Sequence, residues 1–214
     1  MYKYIGKLMV ILVLFFFALK VQATVVTFDD LPPPTIDWAD DVPYLYSGIR
    51  WELNTQYFDQ TLMPSFGPEM GGYFNGVTSG DKAFFAAPNI ISHLSPEFTS
   101  IEPIFFEGAY FTSAWNENLT IEITAEVLSG SPLTKIFIVD PFSPTWVDFN
   151  WNNVTHMTMA SYGGTPVDSF LGSGTQFVMD DFTYHLASVP VPAAVWLFGS
   201  GLIGLIGIAR RKKS

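Results

Sequence analysis

The sequence predicts an all-β body, an antiparallel two-sheet β-sandwich of the jelly-roll kind, set between an N-terminal signal-peptide helix and one C-terminal transmembrane helix. Three observations carry this. From Asn118 to Leu128 apolar and polar residues alternate, with Leu119, Ile121, Ile123, Ala125 and Val127 on one side and Thr120, Glu122, Thr124 and Glu126 on the other, the pattern of a half-buried strand. Short β-rich runs recur between clusters of Gly, Pro, Asn and Asp, and no stretch of the body keeps a helical period. Finally, 20 Phe, 9 Tyr and 6 Trp supply the large rings that fill the space between two sheets.

In chain order, the runs predicted as strands are Val25 to Phe28, Gly48 to Leu53, Lys82 to Ala86, Ala109 to Trp115, Asn118 to Leu128, Leu133 to Val139, Val147 to Trp151, Val154 to Met159 and Thr175 to Tyr184. Ser129-Gly130-Ser131-Pro132 is a turn cluster that folds its two flanking strands into a hairpin. The segment Asp30 to Pro43 holds Pro32, Pro33 and Pro34 and then Asp37, Asp40 and Asp41, which reads as a surface loop.

Charge divides the chain. All 20 acidic residues lie between Thr24 and Ala187, with only Arg50, Lys82 and Lys135 to offset them, so the body carries a formal charge of −17. Phosphate binders need clustered cations to release counterions, so nucleic acid is excluded as a partner. The chain has no cysteine, which removes disulfides and thiolate chemistry.

Residues 1–23 read as a signal peptide: Lys3 and Lys7 precede an apolar run from Leu8 to Leu19, and Val21-Gln22-Ala23 offers a cleavage site for signal peptidase between Ala23 and Thr24. The body then spans 24–187. Residues 188–214 form a tail in three parts. Val189-Pro190-Val191-Pro192 comes first, then the uncharged stretch from Ala193 to Ala209, then Arg210, Arg211, Lys212 and Lys213. The 17 residues of the middle part would reach about 25 Å as a helix, enough for a thin bilayer. The cations would stay cytoplasmic, leaving the body outside, the topology the signal peptide also demands.

The run VPVPAAVWLFGSGLIGLIGIARRKK closely resembles the PEP-CTERM sorting domain. The resemblance implies recognition by an exosortase while the tail sits in the inner membrane. Processing near Pro192 would follow, with transfer of the body to the cell surface or extracellular matrix, the setting of biofilms and exopolysaccharide. One departure is Val191, where the motif usually has glutamate. The duller alternative is a permanently membrane-anchored periplasmic binding protein. The body is also similar to galactose-binding-like carbohydrate-binding modules in short pieces such as Val26-Thr27-Phe28-Asp29-Asp30-Leu31 and Gln176-Phe177-Val178-Met179-Asp180-Asp181-Phe182.

That second resemblance implies two sites. Modules of this kind often hold a structural calcium (Ca2+) where first and last strands meet. Asp180, placed by a two-residue period between Val178 and Phe182 on one face, would hold it with Asp29 or Asp30. Polysaccharide binding needs exposed rings to stack on sugars, and Trp38 and Tyr44 in the acidic loop are the candidates, while Trp51, Trp115 and Trp151 fall in strand patterns and are assigned to the core. No catalytic residues are assigned. Glu102 with Glu107, or Glu122 with Glu126, would be the only glycosidase-like couples, and His93, His156 and His185 are scattered without a metal or nucleophile motif.

Overall fold

The computed structural model describes residues 22–35, 37–52, 55–63, 67–86 and 97–186. The signal peptide up to Val21, the sorting motif, the apolar span and the basic cluster all lie outside the described residues. Among the described residues, no helix is long and apolar enough to cross a membrane.

Among the described residues thirteen strands follow one another: β1 (Thr24–Val26), β2 (Ala39–Asp41), β3 (Leu45–Tyr46), β4 (Ile49–Glu52), β5 (Thr55–Asp59), β6 (Lys82–Ala86), β7 (Glu97–Ser113), β8 (Asn116–Glu117), β9 (Leu119–Val127), β10 (Leu133–Val139), β11 (Thr145–Tyr162), β12 (Thr165–Pro166) and β13 (Phe177–Leu186). Two 3-10 turns (Gln60–Leu62 and Pro68–Met70) and one α-helical turn, α1 (Gly72–Asn75), interrupt them among the described residues. Every pairing is antiparallel.

The two layers share their longest strands. One is ordered β2-β5-β6-β13 and continues into the second half of β7 and the first half of β11; the other joins β4 to the first half of β7, the second half of β11, then β9 and β10. The backbone must bend where a strand changes sheet, and β-bulges do this. Register shifts in β11 fall between Asp148 and His156, a stretch in which Asn150 and Asn153 take φ of 54° and 55°. Asparagine enters this left-handed region more easily than other non-glycine residues because its short amide bonds locally. The two runs predicted as Val147 to Trp151 and Val154 to Met159 are therefore one strand, kinked by its asparagines.

Between the layers lies the main core. Phe106 stacks on Phe182 at 4.5 Å and on Phe149 at 4.7 Å, each such pair adding about 0.5–1.5 kcal/mol beyond area burial. Tyr57, Phe84, Met179 and Phe111 line this core from the first sheet, and Ile121, Ile123, Met157 and Met159 from the second. A smaller cluster of Phe58, Tyr73, Phe85, Trp115 and Val178 occupies the outer face of the first sheet. There α1 packs so close to β7 that a Cβ on Gly72 would stand 2.0 Å from the Ser113 carbonyl oxygen.

Two expectations are corrected. The segment Asp30 to Pro43 is not all loop, because β2 within it pairs with β5. Nor do Val178 and Phe182 share a face: Val178 belongs to the outer cluster and Phe182 to the main core. The cause is Asp181, whose φ of 51° creates the register shift between Asp180 and Thr183 and breaks the two-residue period.

Candidate functional site

The outer face of the first sheet is built by register. Asp41, Gln56, Phe85, Val178 and Thr112 are successive cross-strand partners, and directly opposed residues share a face. Against this row the chain lays Trp38 and Trp115, and a groove of about 380 Å³ opens between Asp37, Trp38, Ala39, Gln56, Tyr73, Phe85, Trp115 and Gln176.

Trp38 is held edge-on. Its ring lies 5.3 Å from Tyr73 and 6.2 Å from Phe58, both near perpendicular, and 5.8 Å from Phe85. Its carbonyl accepts the Asp59 amide at 2.9 Å, which ties the residue to β5, and the residue as a whole is half-buried. Trp115 is 8% exposed, sits 5.3 Å from Tyr73 and is pressed by Gly172, where a Cβ would come within 2.4 Å of the indole. Burial pushes the Tyr73 hydroxyl well above the usual tyrosine range, so it stays protonated.

Gln176 supplies the unusual polar group. Its main-chain carbonyl is spent on the Ala114 amide at 2.9 Å, while its side-chain Oε1 is buried with no hydrogen-bond partner. An unpaired buried acceptor costs about 1–3 kcal/mol, and this one belongs to a residue that lines the groove. The sequence assigned Trp115 to the core and passed over Gln176. Only pairing reveals them, since Gln176 precedes β13 and Trp115 follows β7.

Tyr44 lies elsewhere. It is 61% exposed and lines a separate open cleft of about 460 Å³ with Asp41, Val42, Pro43, Trp51, Glu52 and Thr55. Trp38 and Tyr44, the two rings that the sequence offers as sugar contacts, therefore line different depressions. Trp51 is in the main core as expected, 2% exposed with its indole N–H donating to the Tyr46 carbonyl at 3.0 Å, and Trp151 is half-buried against it.

The three aspartates assigned to a metal divide as well. Asp180 is fully buried and accepts the Thr78 amide at 2.7 Å, the Thr78 hydroxyl at 2.9 Å, the Ser79 amide at 3.0 Å and, on its other oxygen, the Asp181 amide at 2.7 Å. Burial pushes its pKa up to about 6, against the downward pull of those three amides. Asp29 takes the amides of Asp81 and Lys82 at 2.9 and 3.1 Å. Asp29 and Asp180 thus grip one loop, Thr78 to Lys82, from its two ends, while Asp30 turns away to accept the Tyr46 hydroxyl. Among the described residues there is no group of three or more His, Cys, Asp or Glu that could hold a metal. Asp29 and Asp180 clamp this loop through its backbone amides.

Glu122 and Glu126 are not placed as a glycosidase couple. Glu122 and Glu126 lie four residues apart on β9, roughly 13 Å at the rise of a strand, beyond the separation of about 5–9.5 Å such couples use. Glu107 Oε2 instead stands 3.1 Å from His185 Nε2.

The body ends with β13 at Leu186, and immediately beyond it residues 188–213 match the PEP-CTERM protein-sorting motif. The chain carries a PEP-CTERM sorting tail. Such a tail marks an exported protein that is processed at the membrane by an exosortase. No curated protein matches the sequence. Among solved structures the body is similar to TmCBM61, solved in complex with β-1,4-galactotriose, at 9% identity and TM-score 0.37, covering 64% of this chain and 86% of that one. It is also similar to a DUF4465 family protein from Bacteroides ovatus, at 10% identity and TM-score 0.41, covering 77% and 94%. A third similarity is to the tandem CBM22 domains of Paenibacillus barcinonensis Xyn10C, at 8% identity and TM-score 0.39, covering 79% of this chain and 46% of that one.

Proposed function

We propose that the body of this PEP-CTERM protein is released near Pro192 to the cell surface or extracellular matrix and works there as a non-catalytic structural or adhesive component, binding a polysaccharide chain in the Trp38–Trp115 groove. The observation that supports binding is the pairing of a half-exposed indole, Trp38, with a buried unpartnered acceptor, Gln176 Oε1. A pyranose presents both an apolar C–H face, which stacks on an indole, and hydroxyl donors that would satisfy the amide oxygen. Gln56 and Asp37 at the rim add further acceptors. With Asp37 in the groove and a body charge of −17, the preferred chain is neutral, because uronates and sulfated sugars are repelled.

The test is titration of the detergent-solubilised full chain with neutral and anionic polysaccharides while following tryptophan fluorescence. A saturable change with a neutral chain, abolished by Trp38→Ala, is expected. Silence across a broad neutral panel overturns the binding reading and leaves the sorting one standing.

A further inference from the structure

The tail leaves the body at a defined place. β13 is flanked by β6 and then β1 on one side and by β7 on the other, and it ends at Leu186, which pairs with Ile104. The sorting motif starts at residue 188, so strand and tail are almost continuous in the chain. The other end of the body comes to the same pole. Thr24, the first residue of β1, pairs with Tyr184, about 5 Å away between backbones. β1 runs away from this pole and β13 runs toward it, so the apolar stretches 8–19 and 193–209 both join the body there.

The groove lies at the opposite end of the same strand. Gln176 directly precedes β13, and Trp115 follows the point where β7 ends at Ser113, the register partner of Phe177. From Gln176 to Leu186 the strand covers about 30 Å. Residues 187–192 are all that separates Leu186 from the apolar stretch, and fully extended they reach about 20 Å. With that stretch in the bilayer, so short a tether cannot turn the body over. Lying flat is opposed by charge, since a body of −17 is repelled by anionic headgroups. The groove therefore stands away from the lipid before any cut is made.

We propose that the chain captures polysaccharide while its tail is still in the membrane, so that processing releases a loaded body rather than an empty one. The inference rests on the polysaccharide reading of the groove and adds the order of events, capture first and release second. Neither apolar end joins the body near the groove, so the site is as open before the cut as after it. Tethering also favours the earlier step. Copies held in one membrane present their grooves on one surface, and a long polymer that engages one groove meets the next at high effective concentration. A released body lacks that advantage.

The test compares the chain, tail intact, in detergent and inserted into preformed vesicles of phosphatidylethanolamine and phosphatidylglycerol. Neutral galactan, glucomannan and dextran are titrated into each while tryptophan fluorescence is followed. A polymer that binds in detergent is expected to bind about tenfold tighter or more on vesicles. Equal or weaker binding on vesicles overturns the proposed order and leaves the groove reading standing, whereas silence in both preparations defeats the groove reading and this inference with it. Orientation is read separately. The chain has no cysteine, so single thiols carry a dye at Val25→Cys, beside Thr24, or at Leu171→Cys, beside the Gly172 that presses on Trp115; both positions are exposed. Lipid spin-labelled at the headgroup is expected to quench the Val25→Cys dye strongly and the Leu171→Cys dye little. Equal quenching, or stronger quenching at Leu171→Cys, overturns the proposal.

Discussion

The amide of Thr78 donates to the Asp180 carboxylate at 2.7 Å across a sequence separation of 102 residues. This contact fastens the loop that follows α1 onto the last strand, and with Asp29 at the loop's far end it fixes how β6 enters the first sheet. Replacing Asp180 by Ala would strand the amides of Thr78, Ser79 and Asp181. A loss of about 2–4 kcal/mol is expected in urea unfolding.

The same carboxylate gives the fold a pH signature. Its folded pKa of about 6 stands above the ordinary 3.8, so the native state holds a proton that the unfolded state has released between those values. The stability tied to that proton is fully present below about pH 4 and is lost as pH rises through 6. Between pH 7 and 4.5 the wild-type chain should therefore gain stability relative to Asp180→Asn, by about 2 kcal/mol. Paired urea titrations at the two pH values measure it, and parallel curves would contradict it.

The kinks of β11 are expected to be a backbone property. Asn153 is exposed and sits at φ of 55°, so its side chain contributes little packing. Asn153→Gly should be neutral within about 0.5 kcal/mol, whereas Asn153→Val should cost about 1–2 kcal/mol through left-handed strain. Chemical denaturation of the two variants separates strain from lost contacts.

In the groove, stability and binding should part company. Gln176→Met keeps the bulk but removes the unpaired oxygen, and its folded state should be unchanged or firmer by up to about 1 kcal/mol while polysaccharide binding is lost. Gly172→Ala should disturb Trp115, read as a shift in tryptophan emission, and weaken binding without unfolding the body.

What the sequence disclosed depended on whether a strand is covered on one face or two. β9, with one buried face, alternates cleanly from Leu119 to Ala125. β5 was overlooked because both faces are covered: Tyr57 enters the main core and Phe58 the outer cluster, so no alternation survives. Bulges hid more, since a single left-handed residue, Asp181, moved Phe182 to the opposite face from the one that counting gives. For the groove, Trp38 was legible as an aromatic in a polar loop, but Gln176 was not, because an unpaired amide is a property of neighbours brought together by pairing. The loop clamp was hidden for a similar reason: a carboxylate kept from water needs a partner, and the amides that serve Asp180 come from a loop 102 residues away.

The account rests most heavily on the fate of the tail, and mass spectrometry of the chain's C-terminus, recovered from the surface fraction of the producing cells, reads it directly. A mature protein that begins near Thr24 and ends close to Pro192, without residues 193–214, is the predicted result. A surface protein that still ends at Ser214 would contradict processing and leave the tail as a permanent anchor.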